Sequence, residues 1–380
     1  MKKVIIALIS LVFVLTACSS TVVEEPIVEE TLAPVQVSDP LEELEPIPTP
    51  VKYEGDLELP VNGATGYASI GLNLKTSPNK DSETVETLEA GTAFTIVEEE
   101  GNWWFIKSAF SEGWVDNTYC FINLPDVIPS IVYDNSNTYS SEFVSSGKSI
   151  PGISGQALYE GKTFNERLGK EEFIVPVLYS MSQKIFHAQQ EALANGNTLV
   201  IYEGYRPYST QKAVVEALTN LANVDIDVMA GINTNPWSTN WFIATNVSNH
   251  QMGYAIDVTL AKIDSKEEVA IGEFLVADIT DYTEYTMPTP IHELSLASIT
   301  FTKPVPSSSP TAWKNAKLAD TMNESAITLQ KYLTKAGLTP LASEWWHFND
   351  LDAMNAIKQQ PSDGGYELTE CLSVSPLISM

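Results

Sequence analysis

The spacing of hydrophobic and polar positions divides the chain into two kinds of pattern. Between residues 65 and 122, short apolar runs are separated by turn residues, which is typical of a small β-barrel. After residue 123, apolar positions recur at helical spacing in some segments and form strand-like runs in others. This mixture predicts an α+β domain after the barrel. The predicted helices lie within 173–195, 209–224 and 319–337, and the predicted strands are "TLVIYEG" (198–204) and "GYAIDVTLA" (253–261).

The N-terminal part of the chain has the composition of an export signal followed by a tether. Residues 1–20 combine Lys2 and Lys3 with an apolar run that is too short for an ordinary transmembrane helix. Their ending "LTAC" resembles the lipobox of bacterial lipoproteins, which implies that Cys18 carries a lipid; a plain secretory signal with a chance cysteine is the alternative. Residues 21–62 are rich in glutamate and proline and predict a disordered acidic tether. We therefore expect a lipid-anchored protein on the extracytoplasmic face of the cell membrane.

Length, charge and cysteine content narrow the function classes. The chain has 380 residues, which suits two domains plus tails, and its 44% hydrophobic content is typical of a globular protein. The formal net charge of −28 argues against a nucleic-acid partner, because phosphate binding needs clustered Lys and Arg. If Cys18 is lipidated, Cys120 and Cys371 either pair or stay free, and they are too few for a zinc–cysteine site.

The β-rich segment resembles the bacterial SH3-like domain. Domains of that family often bind cell-wall peptides, which makes the aromatic residues candidate contacts. The alternative is that Trp114 and one of the paired tryptophans fill the barrel core. The resemblance rests on Leu72, Asn73, Lys75 and Pro78 in one turn, Gly91 and Thr92 before a strand, Trp103 or Trp104 after a turn, and Gly113, Trp114 and Val115 near the end.

His250 and Asp257 lie on either side of a predicted turn. A zinc hydrolase needs three His, Asp or Glu ligands, a position left for water, and a nearby base. In "SNHQMGYAIDV" (248–258), Gly253 lets the backbone turn between His250 and the strand that contains Asp257. The two side chains can therefore share one metal ion.

The other parts of such a site come from two distant segments. His347 in "EWWHFN" is the best candidate for a third ligand, with Glu344 three residues earlier as the acid/base. Arg206 in "EGYRP" follows a predicted strand and precedes a proline that stiffens the backbone, so its guanidinium can face a developing oxyanion. We interpret His187 and His292 as structural histidines and leave both out of the metal site.

Together these motifs resemble those of the zinc D-alanyl-D-alanine peptidases. "SNHQMGYAIDV" matches Ser-x-His-x-x-Gly-x-Ala-x-Asp, and "EWWH" matches Glu-x-Trp-His. "EGYRP" matches the arginine strand of the D-Ala-D-Ala dipeptidases associated with vancomycin resistance. The resemblance implies one Zn²⁺ per chain, bound by His250, Asp257 and His347. It also implies that Glu344 is the general base and that Arg206 stabilises the tetrahedral intermediate.

Two departures from that branch bear on the substrate. In the dipeptidases an acidic residue between the two zinc motifs is thought to receive the substrate ammonium, and here either His292 or Glu293 falls at that place. A histidine would hold an ammonium poorly. An insertion at about residues 225–246 precedes the first motif and is expected to rim or narrow the cleft.

The sequence therefore predicts an α+β protein with two folded domains. Residues 63–124 form the SH3-like β-barrel, and residues 125–380 form a zinc peptidase domain with a central antiparallel sheet flanked by helices. The expected activity is hydrolysis of D-Ala-D-Ala as a dipeptidase. A carboxypeptidase that trims peptidoglycan stem peptides is the enzymatic alternative, and its substrate is found outside the cytoplasm. A non-catalytic wall-binding lipoprotein is the alternative from another class.

Overall fold

The computed structural model describes residues 49–374. The predicted export signal, its cysteine and the first part of the predicted tether lie outside these residues. At the end of the predicted tether, Leu57, Leu59 and Val61 are buried, and Leu59 N donates a 3.0 Å hydrogen bond to Val127 O. The packed part of the chain therefore begins before residue 63. In the part of the chain that the structure describes, no helix is long and apolar enough to cross a membrane.

Seven short strands make up the SH3-like region. More and less buried positions alternate in four of them, as in "LNLK", where Leu72 and Leu74 are buried and Asn73 is exposed. In chain order these strands are Thr65–Ala68 (β1), Leu72–Lys75 (β2), Thr84–Leu88 (β3), Ala93–Glu100 (β4), Trp103–Lys107 (β5), Glu112–Asp116 (β6) and Cys120–Asn123 (β7).

Helices and strands are mixed in the rest of the chain. The first elements are Val132–Tyr133 (β8), Val144–Ser145 (β9), Lys148–Ser149 (β10), Lys162–Asn165 (β11), Lys170–Phe173 (β12), Pro176–Leu178 (β13), Tyr179–Ala194 (α1), Asn197–Glu203 (β14) and Tyr208–Val224 (α2). They are followed by Ile226–Ile232 (α3), Thr239–Phe242 (α4), Ala255–Ile271 (β15), Phe274–Glu284 (β16), Glu324–Lys335 (α5), Thr339–Pro340 (β17), His347–Asn349 (β18) and Leu351–Ala356 (α6).

The first sheet extends beyond the SH3-like region. Its eight strands have the order β13-β7-β1-β4-β5-β6-β2-β3, and neighbouring strands are antiparallel. The strand order is open, with β13 and β3 at the two edges. Because β13 directly precedes α1, the SH3-like region shares one sheet with the segment that leads into the helical part of the chain.

The second sheet is the central sheet of the α+β domain. Its strand order is β17-β18-β15-β14-β8, and β16 pairs with β15. Among the strand pairs of this sheet that the structure describes, β8–β14 is parallel and the others are antiparallel. Helix α1 contacts β14, α5 contacts β15, and the two helices contact each other. The predicted fold class, an SH3-like region followed by an antiparallel sheet with helices, is therefore confirmed.

The boundaries of two predicted elements differ from the structure. The helix predicted within 173–195 begins only at Tyr179, because the preceding residues pair with β7 as strand β13. It ends before Gly196, whose φ of +75° is in the left-handed region that favours glycine. The strand predicted at 253–261 continues to Ile271 and forms a long hairpin with β16. Hydrogen bonding to a partner strand therefore shifted both boundaries, to the distant β7 in the first case and to the adjacent β16 in the second.

The aromatic residues of the SH3-like region differ in exposure. Trp104 is fully buried, donates a 2.8 Å hydrogen bond from Nε1 to Glu99, and packs on Tyr179 of α1 with ring centroids 4.6 Å apart. Trp103 and Trp114 are half-buried. One of the paired tryptophans therefore fills the core, whereas the other one and Trp114 remain accessible to a ligand.

Strand β7 also contacts the turn that precedes β15. Phe121 packs against Gly253, and a Cβ atom added at Gly253 would lie 1.8 Å from Phe121 Cε1. Leu178 N donates a 2.8 Å hydrogen bond to Gly253 O. The first sheet therefore supports this turn directly.

The C-terminal segment returns to the SH3-like region. Tyr67 Oη donates a 2.8 Å hydrogen bond to Glu370, and Thr369 N donates one of 3.1 Å to Gly91 O. Cys120 and Cys371 are buried and free, so they do not form a disulfide. The SH3-like region is thus held to the rest of the described chain by its last strand and by the C-terminal segment.

We expect Phe121→Ala to lower the free energy of unfolding by about 3–5 kcal/mol, because the variant leaves a cavity where a buried ring was. Urea unfolding of the unchanged protein and of the variant, followed by circular dichroism and by tryptophan fluorescence, should give one coincident transition for each. Strand β7 pairs with β1 of the SH3-like region and with β13, which leads into the helical part of the chain. Phe110→Ala is the matched control, because Phe110 is 97% exposed. Two separate transitions, or equal effects of the two variants, would contradict a shared core.

We expect Gly253→Ala to be more destabilising than Gly272→Ala. Both glycines have positive φ, +76° and +58°, so both variants carry the backbone cost of about 1–2 kcal/mol. Nothing lies within 4 Å of a Cβ at Gly272, whereas a Cβ at Gly253 collides with Phe121 and adds about 1–3 kcal/mol of overpacking. Urea unfolding of both variants measures the difference, and equal losses would show that the close approach is unimportant.

Candidate active site and metal centre

Three polar side chains lie in a row across three neighbouring strands of the central sheet. Asp257 of β15 pairs with Glu203 of β14 on one side and with His347 of β18 on the other. A register shift after Ile201 places Glu203, rather than the residue before it, opposite Asp257. Side chains directly opposite each other in antiparallel strands share one face, with Cβ atoms about 5 Å apart. The strand register therefore brings these three groups together.

His250 reaches the same place from the turn that precedes β15. The turn contains Gly253, as predicted, and it carries His250 Nε2 to within 3.3 Å of Asp257 Oδ1. Inside the turn, Ser248 N donates a 2.6 Å hydrogen bond to Gln251 Oε1, and Gln251 Nε2 donates one of 2.9 Å to Arg206 O. The buried Gln251 thus fixes the turn against the segment that follows β14.

The atoms of His250, Asp257 and His347 are close enough to bind one metal ion. His250 Nε2 lies 3.2 Å from His347 Nδ1, and His347 Nδ1 lies 3.0 Å from Asp257 Oδ1. Ligand atoms about 2.0–2.1 Å from a tetrahedral zinc ion would be roughly 3.3 Å apart. The three predicted ligands are therefore brought together at nearly the spacing that a tetrahedral ion needs.

The outer nitrogens of the two imidazoles fix their tautomers. His250 Nδ1 lies 2.7 Å from Gly204 O, and His347 Nε2 lies 3.1 Å from Asn349 Oδ1. Each of these nitrogens donates its hydrogen to an oxygen acceptor, so the lone pairs of the inner nitrogens face each other and Asp257. Three electron-rich atoms in contact repel one another, and a bound cation would remove this repulsion. The donor set therefore fits a metal ion.

The electrostatic surroundings keep Asp257 ionised. Burial by itself would raise the pKa of this carboxyl, but the surrounding imidazoles of His250, His292 and His347 lower it well below its usual range. An ionised carboxylate at the centre of the site is the form that binds a metal ion.

Glu344 lies beside the three candidate ligands. Its Oε2 is 3.6 Å from His347 Nδ1, and its side chain is largely buried. Burial raises the pKa of Glu344 to about 8, and a cation in the site would lower it again by favouring the carboxylate. A carboxylate close to the ligands but not among them has the position of a base.

Arg206 is more constrained than the sequence suggests. Its Nε donates a 2.8 Å hydrogen bond to Glu203 Oε2, its Nη1 donates one of 2.8 Å to Gln211 Oε1, and its Nη2 contacts both Glu203 and Asp257. Arg206 nevertheless lines the same cavity as the candidate ligands. The guanidinium therefore faces the site while its charge is balanced by two buried carboxylates.

Sequence reasoning missed Glu203 and left His292 out of the metal site. Glu203 lies in "EGYRP" and pairs with Arg206. The spacing of three residues between the carboxylate and the arginine was the available sequence signal for this pairing. We interpreted His292 as a structural histidine, but its Nε2 lies 3.1 Å from Asp257 Oδ2, inside the site. The exposed His187 lies on α1, outside the residues that line the cavity.

The site opens into a cavity of about 360 Å³. Residues 240–244, from the predicted insertion, form part of its rim, and Gln211 Nε2 fixes them by a 2.7 Å hydrogen bond to Ala244 O. Trp346 lines the cavity, whereas Trp345 donates its Nε1 hydrogen to Thr289 Oγ1 in a different part of the domain. One of the two tryptophans therefore shields the site from water.

Two family models match the chain. Residues 151–363, more than half of the chain, match the family model described as D-ala-D-ala dipeptidase, and residues 70–120 match the bacterial SH3 domain. No curated protein matches the chain. The matched range contains the strands β14, β15 and β18 that carry the site. The chain therefore belongs to the D-ala-D-ala dipeptidase family of peptidases, with a bacterial SH3 domain ahead of the peptidase part.

Proposed function

We propose that the protein is a zinc-dependent peptidase that hydrolyses the D-alanyl-D-alanine bond of cell-wall peptides. The observation that carries this proposal is the cluster of His250, Asp257 and His347, whose ligand atoms lie 3.0–3.3 Å apart beside the carboxylate of Glu344. One zinc ion per chain would be held by these three side chains. When bound, it would polarise the scissile carbonyl and make water a better nucleophile.

The residues of the chain have separate roles in this proposal. Glu344 accepts the proton of the attacking water and delivers it to the leaving amine. Arg206, with one Nη1 hydrogen left after its contacts with Glu203, Gln211 and Asp257, faces the oxyanion that forms at the scissile carbon. Because the candidate ligands, base and arginine are all present in one cavity, a catalytic function is favoured over a purely wall-binding one.

The charges of the cavity favour the carboxypeptidase alternative. Asp257 and Glu344 are the carboxylates that line it within the described chain, and the proposed mechanism uses both. Glu293 points elsewhere, since its carboxylate accepts hydrogen bonds of 2.6 and 2.9 Å from Ser146 N and Gly147 N. No further carboxylate of the described cavity is available for a substrate ammonium. A stem peptide, whose penultimate D-alanine is acylated, does not present that charge.

We also propose that the protein is anchored at the extracytoplasmic face of the cell membrane through Cys18. The lipobox-like sequence supports this location. The half-buried Trp103 and Trp114 would contact wall peptides, since they are the accessible tryptophans of the SH3-like region.

We expect Glu344→Gln to lower kcat by about 10²–10⁴-fold while zinc content stays at one per chain. The amide keeps the size of the side chain but cannot accept the proton. D-Ala release and metal content measured on the same samples test this. Loss of zinc from the variant would show that Glu344 is a ligand rather than the base.

We expect D-Ala release from a stem pentapeptide to exceed release from the free dipeptide by about tenfold or more in kcat/KM. The ammonium of the bound free dipeptide would lack a carboxylate partner. A charged group left without a hydrogen-bond partner costs about 1.5–3 kcal/mol, which accounts for a factor of this size. Both substrates are assayed with the purified protein and with Glu344→Gln as the background control. Faster release from the dipeptide would favour the dipeptidase, and no release from either substrate would contradict a peptidase.

A further inference from the structure

The segment around His292 has an unusual backbone that neighbouring strands hold in place. His292 has φ of +58°, a left-handed backbone conformation that a non-glycine residue rarely adopts. Val144 N donates a 3.2 Å hydrogen bond to His292 O, and Leu294 N donates one of 2.8 Å to Val144 O. Glu293 binds the turn of the same β9–β10 hairpin through its carboxylate. The hairpin thus fixes the direction of the His292 side chain.

The imidazole of His292 is directed at a single partner. It is 1% exposed and stacks on Phe143, with ring centroids 4.4 Å apart and planes at 17°. Its Nε2 lies 3.1 Å from Asp257 Oδ2, while its buried Nδ1 has no hydrogen-bond partner among the described residues. An ionised carboxylate oxygen can only accept, so Nε2 donates the hydrogen, and in the neutral ring Nδ1 carries a lone pair and no hydrogen.

The two oxygens of Asp257 have different surroundings. Oδ1 faces His250 Nε2 at 3.3 Å and His347 Nδ1 at 3.0 Å, the nitrogens of the candidate metal centre. Oδ2 faces away from them and is contacted by His292 Nε2 and by Arg206 Nη2 at 3.3 Å. The donors on Oδ2 therefore hold the carboxylate in an orientation that presents Oδ1 to the metal.

A second metal ion is the competing interpretation of the same residues. Glu203, Asp257 and His292 have ligand atoms within 4.8 Å of one another, which is close enough for a cation. However, Arg206 already contacts the carboxylates of Glu203 and Asp257 with its Nη2 group. Its guanidinium supplies the positive charge that a second metal would bring.

We propose that His292 is a positioning residue that orients Asp257 for metal binding by donating a hydrogen bond to Oδ2. This rests on the proposed function only in requiring that the protein binds one zinc ion. Partners that orient a metal ligand typically contribute 10–100-fold to metal affinity.

The test compares two variants that differ by one methylene. His292→Asn suits the left-handed backbone, but its amide is too short to reach Asp257. In His292→Gln, the amide Nε2 lies three bonds from Cβ, as Nε2 of histidine does, so it can donate a hydrogen bond to Asp257. Zinc affinity is measured on the whole purified protein by competition with a chromophoric chelator, together with zinc stoichiometry and the visible absorption spectrum of the Co²⁺-loaded form. The exposed His187→Asn is the matched control.

We expect His292→Asn to weaken zinc binding by about 10–100-fold and to change the cobalt spectrum, and His292→Gln to recover most of the affinity. His187→Asn should equal the unchanged protein in both measurements. Thermal unfolding shows whether each variant is folded. If His292→Asn is unfolded, the zinc affinity of His292→Gln is compared with that of a folded His292→Ser, which also lacks the hydrogen bond.

Three results would overturn this assignment. Unchanged zinc affinity in a folded variant that lacks the hydrogen bond would show that His292 does not orient Asp257. Two zinc ions in the unchanged protein, with one lost in His292→Asn, would make His292 a ligand of a second ion. No zinc bound by the unchanged protein would overturn the zinc-dependent function itself, a failure distinct from the first two.

Discussion

Asp257 is a buried carboxylate that contacts three imidazoles and one guanidinium, and the candidate site is arranged around it. Its position depends on strand register, because β14 and β18 pair with β15 so that Glu203 and His347 lie on either side of it. Since side chains alternate between the two faces of a strand, a slip of one residue would turn Asp257 into the apolar core. The buried Ile256 and Val258 on the opposite face oppose such a slip.

Charge balance explains why so many polar groups can be buried here. An isolated buried carboxylate is costly, so Glu203 and Asp257 need positive partners. Arg206 supplies one. Burial by itself would lower the pKa of its guanidinium, but the adjacent carboxylates of Glu203 and Asp257 raise it. The inner nitrogens of His250 and His347 have their lone pairs directed at Asp257 Oδ1, and the cation that we propose there would complete the balance. The site therefore contains one fixed positive charge, the guanidinium of Arg206, beside a donor set that fits a metal ion.

The SH3-like region contributes to the support of this site. Its last strand pairs with both β1 and β13, and Phe121 from that strand packs against Gly253 in the turn that carries His250. The C-terminal segment binds the same region again through Glu370 and Thr369. Shared hydrogen bonding of this kind couples the two regions more tightly than a flexible connection would.

Sequence alone selected the candidate site residues that short motifs connect. His250 and Asp257 lie on either side of a glycine turn, and Glu344 and His347 lie three residues apart, so short motifs were enough to predict that they act together. Helix α2 and strand β14 were likewise predicted from periodicity, because local patterns of apolar residues follow the period of the element.

The tertiary structure decided what depends on contacts between distant segments. The pairing of β13 with β7 shortened the first predicted helix, since backbone hydrogen bonds to a distant strand outweigh local propensity. His292 lies 35 residues from Asp257 in sequence and reaches it only because the β9–β10 hairpin fixes a left-handed backbone. Nothing in "PTPIHELS" indicates that contact, because a lone histidine has the same local pattern whether it fills a core or orients a ligand. The direction of a side chain is set by packing between elements, which the linear order of residues does not specify.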